Sequence, residues 1–281
     1  MKKHVLDLTV RSVERLHERY VLIRLTSGER LPQMLPGQFV EVRVDGSPST
    51  FLRRPISINF VDNNANELWM LVATVGDGTR WMASLSTGDT LNCMLPLGNG
   101  FTLPGDGNAG RKVLLVGGGV GVAPLLYLGK VLKETGVDPT FLLGARTKND
   151  LLMLDEFSKY GRVLTTTEDG SEGERGFVTN HSVLEQERFD MIQCCGPTPM
   201  MKAVARYAQA KDIDCEVSLE NLMACGLGAC LCCVEKVRGG LTPDPSPKRE
   251  GNAKGEVNVC VCKEGPVFDV KRLAAFGLNE K

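Results

Sequence analysis

Six of the ten cysteines lie between residues 225 and 262, and three of them stand as Cys225-x4-Cys230-x2-Cys233. Thiolates bind iron tightly, and this spacing with a distant fourth cysteine is the plant-type pattern for a [2Fe-2S] cluster. The segment reads ENLMACGLGACLCCVEK. Gly226 and Gly228 let the backbone pass close to a cluster and adopt dihedrals barred to other residues. Backbone N–H groups exposed in this way can donate to sulfur and tune the potential. The competing reading is a four-cysteine structural zinc site. Zinc sites favour two Cys-x2-Cys knuckles, and only one such pair is present, so the spacing favours iron. The fourth ligand is Cys260 or Cys262, both in VNVCVCKEGPVF. Alternate residues of a strand face the same side, so periodicity leaves both open. Cys232 falls outside the spacing.

A second constellation is the run Val113 to Pro124, VLLVGGGVGVAP. A buried strand that ends in glycines and enters a helix is an anion cradle, because bare N–H groups and the helix terminus attract a pyrophosphate. The run departs from G-x-G-x-x-G; Pro124 stands near the first helical turn, where its missing N–H costs nothing. A structural turn is the plainer alternative. The strand Leu52–Ile58, LRRPISI, offers a guanidinium fork and a hydroxyl to a phosphate and a ring, although a surface strand with two arginines would look the same. Cys195-Gly196-Pro197-Thr198-Pro199-Met200 closes a further predicted strand, and strand C-termini are where such sheets bind ligands. A tight turn before the next helix would also account for it.

Hydrolytic chemistry finds no support. No Ser-His-Asp, Cys-His or paired-carboxylate arrangement stands out, and His4, His17 and His181 share no ligand spacing. A cluster carrier joined to a nucleotide cradle points to electron transfer.

The elements that must position these groups fall into three blocks. Residues 1–105 hold short apolar runs such as YVLIRLTS, FVEVRV, ISINFV and ELWMLVAT, separated by turn signals. These predict an antiparallel β-barrel, with one helix over 79–85. A linker at 104–110 leads into residues 106–212, which open on a non-alternating strand, VLLVGG, of the kind buried on both faces of a parallel sheet. Strands and helices then alternate, with helices expected at 123–136, 151–160, 180–189 and 199–212, which predicts an α/β parallel-sheet domain. Residues 213–281 form a small cysteine-rich domain, interrupted by a polar segment at 239–256 expected to be an exposed loop.

With 281 residues there is chain enough for two or three domains. A net charge of -1 and no basic stripe argue against nucleic-acid binding. No apolar run of membrane-spanning length and no signal-peptide pattern are present. With the clustered cysteines, this suggests a cytoplasmic chain.

Taken in order, LRRPISI, VATVGDGTRWMASLSTGD, LLVGGGVGVAPL, TEDGSEGERGFVT, CCGPTPMM, CGLGACLCC and VCKEGPVF resemble the ferredoxin-NADP reductase superfamily. Within it they resemble most the electron-transfer subunits of NAD-dependent (class B) dihydroorotate dehydrogenases, over almost the whole chain. The resemblance implies FAD in the barrel domain. Arg54 would bind its pyrophosphate, Pro55, Ile56 and Ser57 would line the isoalloxazine, and Leu71, Val72 and Ala73 would run beside it. Gly78 and Thr79 would contact the FAD phosphates. It further implies NAD(H) at Gly117, Gly118, Gly119 and Gly121 and near Cys195, Gly196 and Pro197, and a [2Fe-2S] cluster on Cys225, Cys230, Cys233 and Cys262. Here the family pattern selects Cys262 over Cys260. The implied partner is an FMN-containing catalytic subunit in a two-plus-two heterotetramer that oxidises dihydroorotate for pyrimidine biosynthesis. A related reductase subunit serving ferredoxin or resembling sulfide dehydrogenase is one alternative, and a zinc or redox-sensing interaction protein another. Arg146 and Lys148 follow the second strand of the α/β block, where a pocket for an NADP 2′-phosphate could form, whereas the resemblance favours NAD. Twenty-eight residues separate Cys233 from Cys262, more than the family pattern, and the excess is the 239–256 segment.

Overall fold

The computed structural model describes residues 2–103, 110–238 and 255–277. The expected linker residues 104–109, and all but the last two residues of the 239–256 segment, lie outside the described residues.

The first block contains β1 (His4–His17), β2 (Tyr20–Thr26), β3 (Phe39–Val42), β4 (Arg54–Ser57), β5 (Phe60–Asp62), β6 (Glu67–Ala73), α1 (Asp77–Met82) and β7 (Thr90–Leu97). Their sheet is antiparallel in the order β4-β3-β7-β1-β2-β6-β5. Alternation explains its inner face. Leu8 and Val10 of β1 and Val21, Ile23 and Leu25 of β2 are fully buried in one cluster with Val40, Val42 and Ile56. The edge strands β4 and β5 share no ladder. Ile58 and Asn59 cross between them, Ile58 N–H donating to Gln38 O and Asn59 N–H to Trp69 O. The expected barrel is therefore a curled sheet, a half-barrel bridged by its own chain. The helix starts two residues before the expected 79, at Asp77, because the Thr79 hydroxyl accepts from the N–H groups of Val75 and Gly76 and fixes the entry turn.

The second sheet is built from β8 (Val113–Gly118), β9 (Thr140–Ala145), β10 (Arg162–Thr167), β11 (Glu174–Arg175), β12 (Met191–Cys195), β13 (Asp214–Ser218) and β16 (Val267–Asp269). Its order is β11-β10-β9-β8-β12-β13-β16, parallel throughout except for β16. Every residue of β8 and β12 is buried, as their unbroken apolar runs require. The helices are α2 (Ala123–Glu134), α3 (Leu154–Ser158), α4 (Val183–Gln186) and α5 (Thr198–Lys211). Gly129 in mid-α2 is a packing choice, since a Cβ there would run into the Phe141 ring. Phe141 itself meets Phe157 of α3 edge-on at 5.0 Å.

Two helices are shorter than their sequences suggest. At 151–160 the apolar run enters the core before the helix begins: Leu152 is buried and Met153 takes a left-handed φ of +58°. At 180–189 the chain leaves the helix at Glu187, whose ψ of 148° is extended. The parallel sheet also continues past 212, because β13 pairs with β12 and β16 pairs with β13. The cysteine-rich block therefore shares hydrogen bonds with the nucleotide block.

The remaining elements of that block are β14 (Val234–Arg238), β15 (Glu256–Cys260) and α6 (Val261–Glu264), the two strands forming an antiparallel hairpin. One hydrophobic cluster joins all three blocks, with Phe39 and Leu97 of the half-barrel, Leu114 and Val217 of the parallel sheet, and Cys233, Val259 and Cys262 of the C-terminal block. Asn99 N–H donates to Gly265 O at 2.6 Å and adds a backbone tie. No helix among the described residues is long and apolar enough to cross a membrane.

Candidate cluster and nucleotide sites

The loop between β13 and β14 folds round the sulfurs of Cys225, Cys233 and Cys262. Leu227 N–H donates to Cys225 Sγ at 3.4 Å, Gly228 N–H to Cys262 Sγ at 3.1 Å, and Cys262 N–H to Cys233 Sγ at 3.4 Å. Left-handed φ values of +64° at Gly226 and +80° at Gly228 make this possible. The Cys230 thiol lies beside that of Cys225, and the Cys233 thiol beside that of Cys262, all four unbridged. Burial pushes the Cys225 thiol up, but the N–H groups of Leu227, Cys230 and Ala229 and the Cys230 thiol outweigh it and bring it down to about 6. Burial, then Cys233, pushes Cys262 up to about 12.

Two thiol pairs fit a two-iron cluster, in which each iron takes two cysteines. No three Cys, His, Asp or Glu side chains among the described residues converge as a single metal ion would need. Cys262 and Cys260 do not share a strand face. β15 ends at Cys260, and Cys262 lies in the helical turn α6. The Cys260 thiol instead faces Gly228 O at 3.7 Å, and Cys232 is exposed.

On the half-barrel, Arg54 and Gly78 come together. A Cβ on Gly78 would lie 3.3 Å from Arg54 Nε, so the glycine leaves room beside the guanidinium. The Arg54 side chain folds over the Leu52 and Arg53 carbonyls. Pro55 and Ser57 are half-buried and face away from Ile56, whose side chain is in the barrel core. Leu71 and Val72 are buried and Ala73 is half-buried. Thr79 spends its hydroxyl on the turn at Gly76. Arg53, in contrast, is taken up by structure, donating to Glu41 O and Asn92 O.

Glu41 is a residue that pattern reading missed. In FVEVRV it reads as an outward position, yet it is fully buried and neither carboxyl oxygen has a hydrogen-bond partner. Burial pushes it up to about 7, with Arg53 opposing, Cys225 adding to the rise and Arg54 opposing.

The third site is a cleft of 820 Å³ at the C-terminal ends of the parallel strands, lined by Gly118, Gly119, Gly121, Gly196 and Pro197 among others. Gly117 and Cys195 are register partners in β8 and β12 and are not among the lining residues. A side chain on Gly121 would run into Gly196 Cα, and one on Gly118 would lie 2.6 Å from Met200 Sδ; the two glycine turns interlock. Burial holds the Cys195 thiol well above its ordinary range, with Glu220 adding to the rise and a Ser218 hydrogen bond opposing it. Arg146 lines the cleft, but Lys148 turns away and pairs with Glu172 at 3.0 Å. Arg19, Tyr20, Phe177 and Glu220 also line it. Two of these had a usable signal: Glu220 follows β13 at a strand C-terminus, and Phe177 lies in the TEDGSEGERGFVT run.

Comparison with known proteins recognises two regions of the chain. Residues 115–206 match the oxidoreductase NAD-binding domain, and residues 220–274 match the iron-sulfur cluster binding domain of dihydroorotate dehydrogenase B. Among solved structures, an NADH-dependent reduced ferredoxin-NADP oxidoreductase studied for flavin-based electron bifurcation aligns with a TM-score of 0.79 and 30% identity, over 97% of this chain and 94% of that one. The ferredoxin reductase of carbazole 1,9a-dioxygenase shares the fold at a TM-score of 0.64 and 21% identity, over 76% of this chain and 67% of that one. Fold and site together define an NAD(H)-linked oxidoreductase of the ferredoxin reductase class that carries an iron-sulfur domain. The dihydroorotate dehydrogenase B (NAD(+)) electron transfer subunit of Shouchella clausii is 39% identical over 93% of this chain and 94% of its own length. That of Bacillus velezensis is 37% identical over 95% and 98%. The chain belongs to the family of dihydroorotate dehydrogenase B electron transfer subunits. This membership sets aside the zinc or redox-sensing reading and the other reductase subunits.

Proposed function

We propose that this chain passes electrons from a dihydroorotate-oxidising partner to NAD+ through three sites, in service of pyrimidine biosynthesis. FAD binds the half-barrel, with Arg54 on its pyrophosphate, Gly78 and the Thr79 backbone beside its phosphates, and Pro55, Ser57 and the Ile56 peptide along the ring. Leu71 to Ala73 form the floor. NAD(H) takes the cleft: Gly118, Gly119 and Gly121 approach its phosphates, and Gly196 and Pro197 border the nicotinamide. Gly117 and Cys195 act from behind as the packed strand pair. Cys225, Cys230, Cys233 and Cys262 hold the [2Fe-2S] cluster. The flavin supplies two-electron exchange with the nicotinamide and one-electron exchange with the iron.

In this reading residues 1–105, 106–212 and 213–281 are the FAD, NAD and cluster units, with β13 and β16 lent to the NAD unit. The partner is an FMN-containing catalytic subunit, in a cytoplasmic two-plus-two heterotetramer. The observation that carries the reading is a loop whose N–H groups bond to the Cys225 and Cys262 sulfurs, with Cys262 N–H on Cys233 Sγ, packed on β3, the strand that pairs with the Arg54 strand. The test is composition and division of labour. The purified chain is expected to contain FAD and about two irons, and to reduce artificial acceptors with NADH. Dihydroorotate oxidation by the isolated chain would overturn the proposal.

A further inference from the structure

Glu41 lies between the cluster loop and the flavin strand. It belongs to β3, opposite Pro55 of β4 in the antiparallel register and opposite Met94 of β7. All four residues of β3 are buried. Val40 and Val42 fill the barrel core, and the other face is covered by the cysteine loop. A Cβ on Gly226, the residue after Cys225, would lie 2.7 Å from Glu41 Cγ and 3.2 Å from Glu41 Oε1. The carboxyl is therefore pressed against the backbone of the loop at its first cysteine. Both of its oxygens are buried without a hydrogen-bond partner.

Such an arrangement is costly. An unpaired buried carboxyl destabilises a fold, and a leucine or methionine of similar volume would fill the same space at no such cost. Packing therefore does not account for the choice of glutamate. What a carboxyl adds at this point is an ionisable group that water cannot screen, against the loop at Cys225 on one side, with the Arg53 and Arg54 guanidinium groups opposing on the other. Charge and burial around a cluster set its reduction potential. A carboxylate favours the oxidised, less negative cluster and lowers the potential.

We propose that Glu41 is a positioning residue of the electron path, a buried carboxyl under the cysteine loop that holds the cluster potential down relative to the flavin. The inference rests on the cofactor assignment above.

Its test is a redox titration of the full chain followed by electron paramagnetic resonance. In Glu41→Gln and Glu41→Leu the cluster midpoint is expected to move to more positive potential, with iron content and signal shape kept and Glu41→Asp returning part of the way. A midpoint unchanged in both charge-removing variants at full iron content overturns the inference and leaves the cofactor reading intact. Unmodified protein without a [2Fe-2S] signal defeats both. Where the variants fail to load iron, the unmodified protein decides. Infrared difference spectra on cluster reduction, with the glutamates carbon-13 labelled, are expected to show a labelled band from a buried carboxyl. A difference spectrum without such a band counts against the role.

Discussion

The molecule contains two glycine cradles that are built in opposite ways. At 117–121 the glycines cap β8 and lead into the twelve-residue helix α2, and they interlock with the Gly196 turn. Backbone pairing on both sides of β8 fixes this cradle before any ligand arrives. At 225–233 no strand or helix is present. The loop is fastened by hydrogen bonds to the sulfurs of Cys225 and Cys262, by one from Cys262 N–H to Cys233, and by contact with Glu41. The first cradle is a property of the fold, whereas the second borrows its rigidity from the cysteines and from what they bind.

That contrast can be broken most strongly at Cys262. Cys262→Ser is expected to remove nearly all bound iron and to speed amide hydrogen exchange across 220–233, while β8 stays protected and NADH still reduces the flavin. Cys260→Ser is expected to keep its iron; metal analysis of the two proteins side by side would reverse the assignment if the losses were swapped. Next in size is Gly121→Val, which drives a side chain into Gly196. It should cost about 1–3 kcal/mol of stability and weaken NADH binding at least about tenfold, with FAD and iron contents unchanged, as read by thermal melts and fluorescence titration. In the proposed flavin site Arg54→Ala would remove a charge-assisted bond worth about 1.5–3 kcal/mol. Retention of FAD should then fall roughly ten- to hundredfold in an equilibrium dialysis measurement that leaves the cluster spectrum untouched. The smallest effect is expected at Lys148→Ala. Its ion pair with Glu172 is solvent-exposed, so stability should change by less than about 1 kcal/mol and the NADH-to-NADPH preference should not move. A shift in that preference would place Lys148 in the nucleotide site after all.

The parts legible in the sequence are those where local pattern and burial agree. VLLVGG reads as a doubly buried strand and is one, and the cysteine spacing names three of the gathered thiols. The fourth stayed open because alternation assumes that the strand continues, and β15 stops at Cys260. The 151–160 segment shows the opposite failure. Its leucines carry a helical period, but Leu152 is drawn into the core and Met153 turns left-handed before the helix starts. β13 is readable, since DCEVS follows a helix as a parallel strand should; the nearby cysteines assign it to the 213–281 block, whereas its hydrogen bonds join it to β12. Glu41 was not legible at all. Its burial comes from a loop about 185 residues further along the chain, a distance at which tertiary contact overrides local pattern.

Strand β16 has a consequence for the order of synthesis. The edge of β13 that it covers is complete once Ser218 has been made, yet Val267–Asp269 emerges from the ribosome roughly fifty residues later. Throughout that interval the nascent sheet presents an unpaired edge, a template for association with other chains. The same stretch of translation delivers Cys262, so the last thiol and the sheet's outermost strand arrive together. A chain halted before Val267 would be left with an open sheet edge whether or not it had met iron.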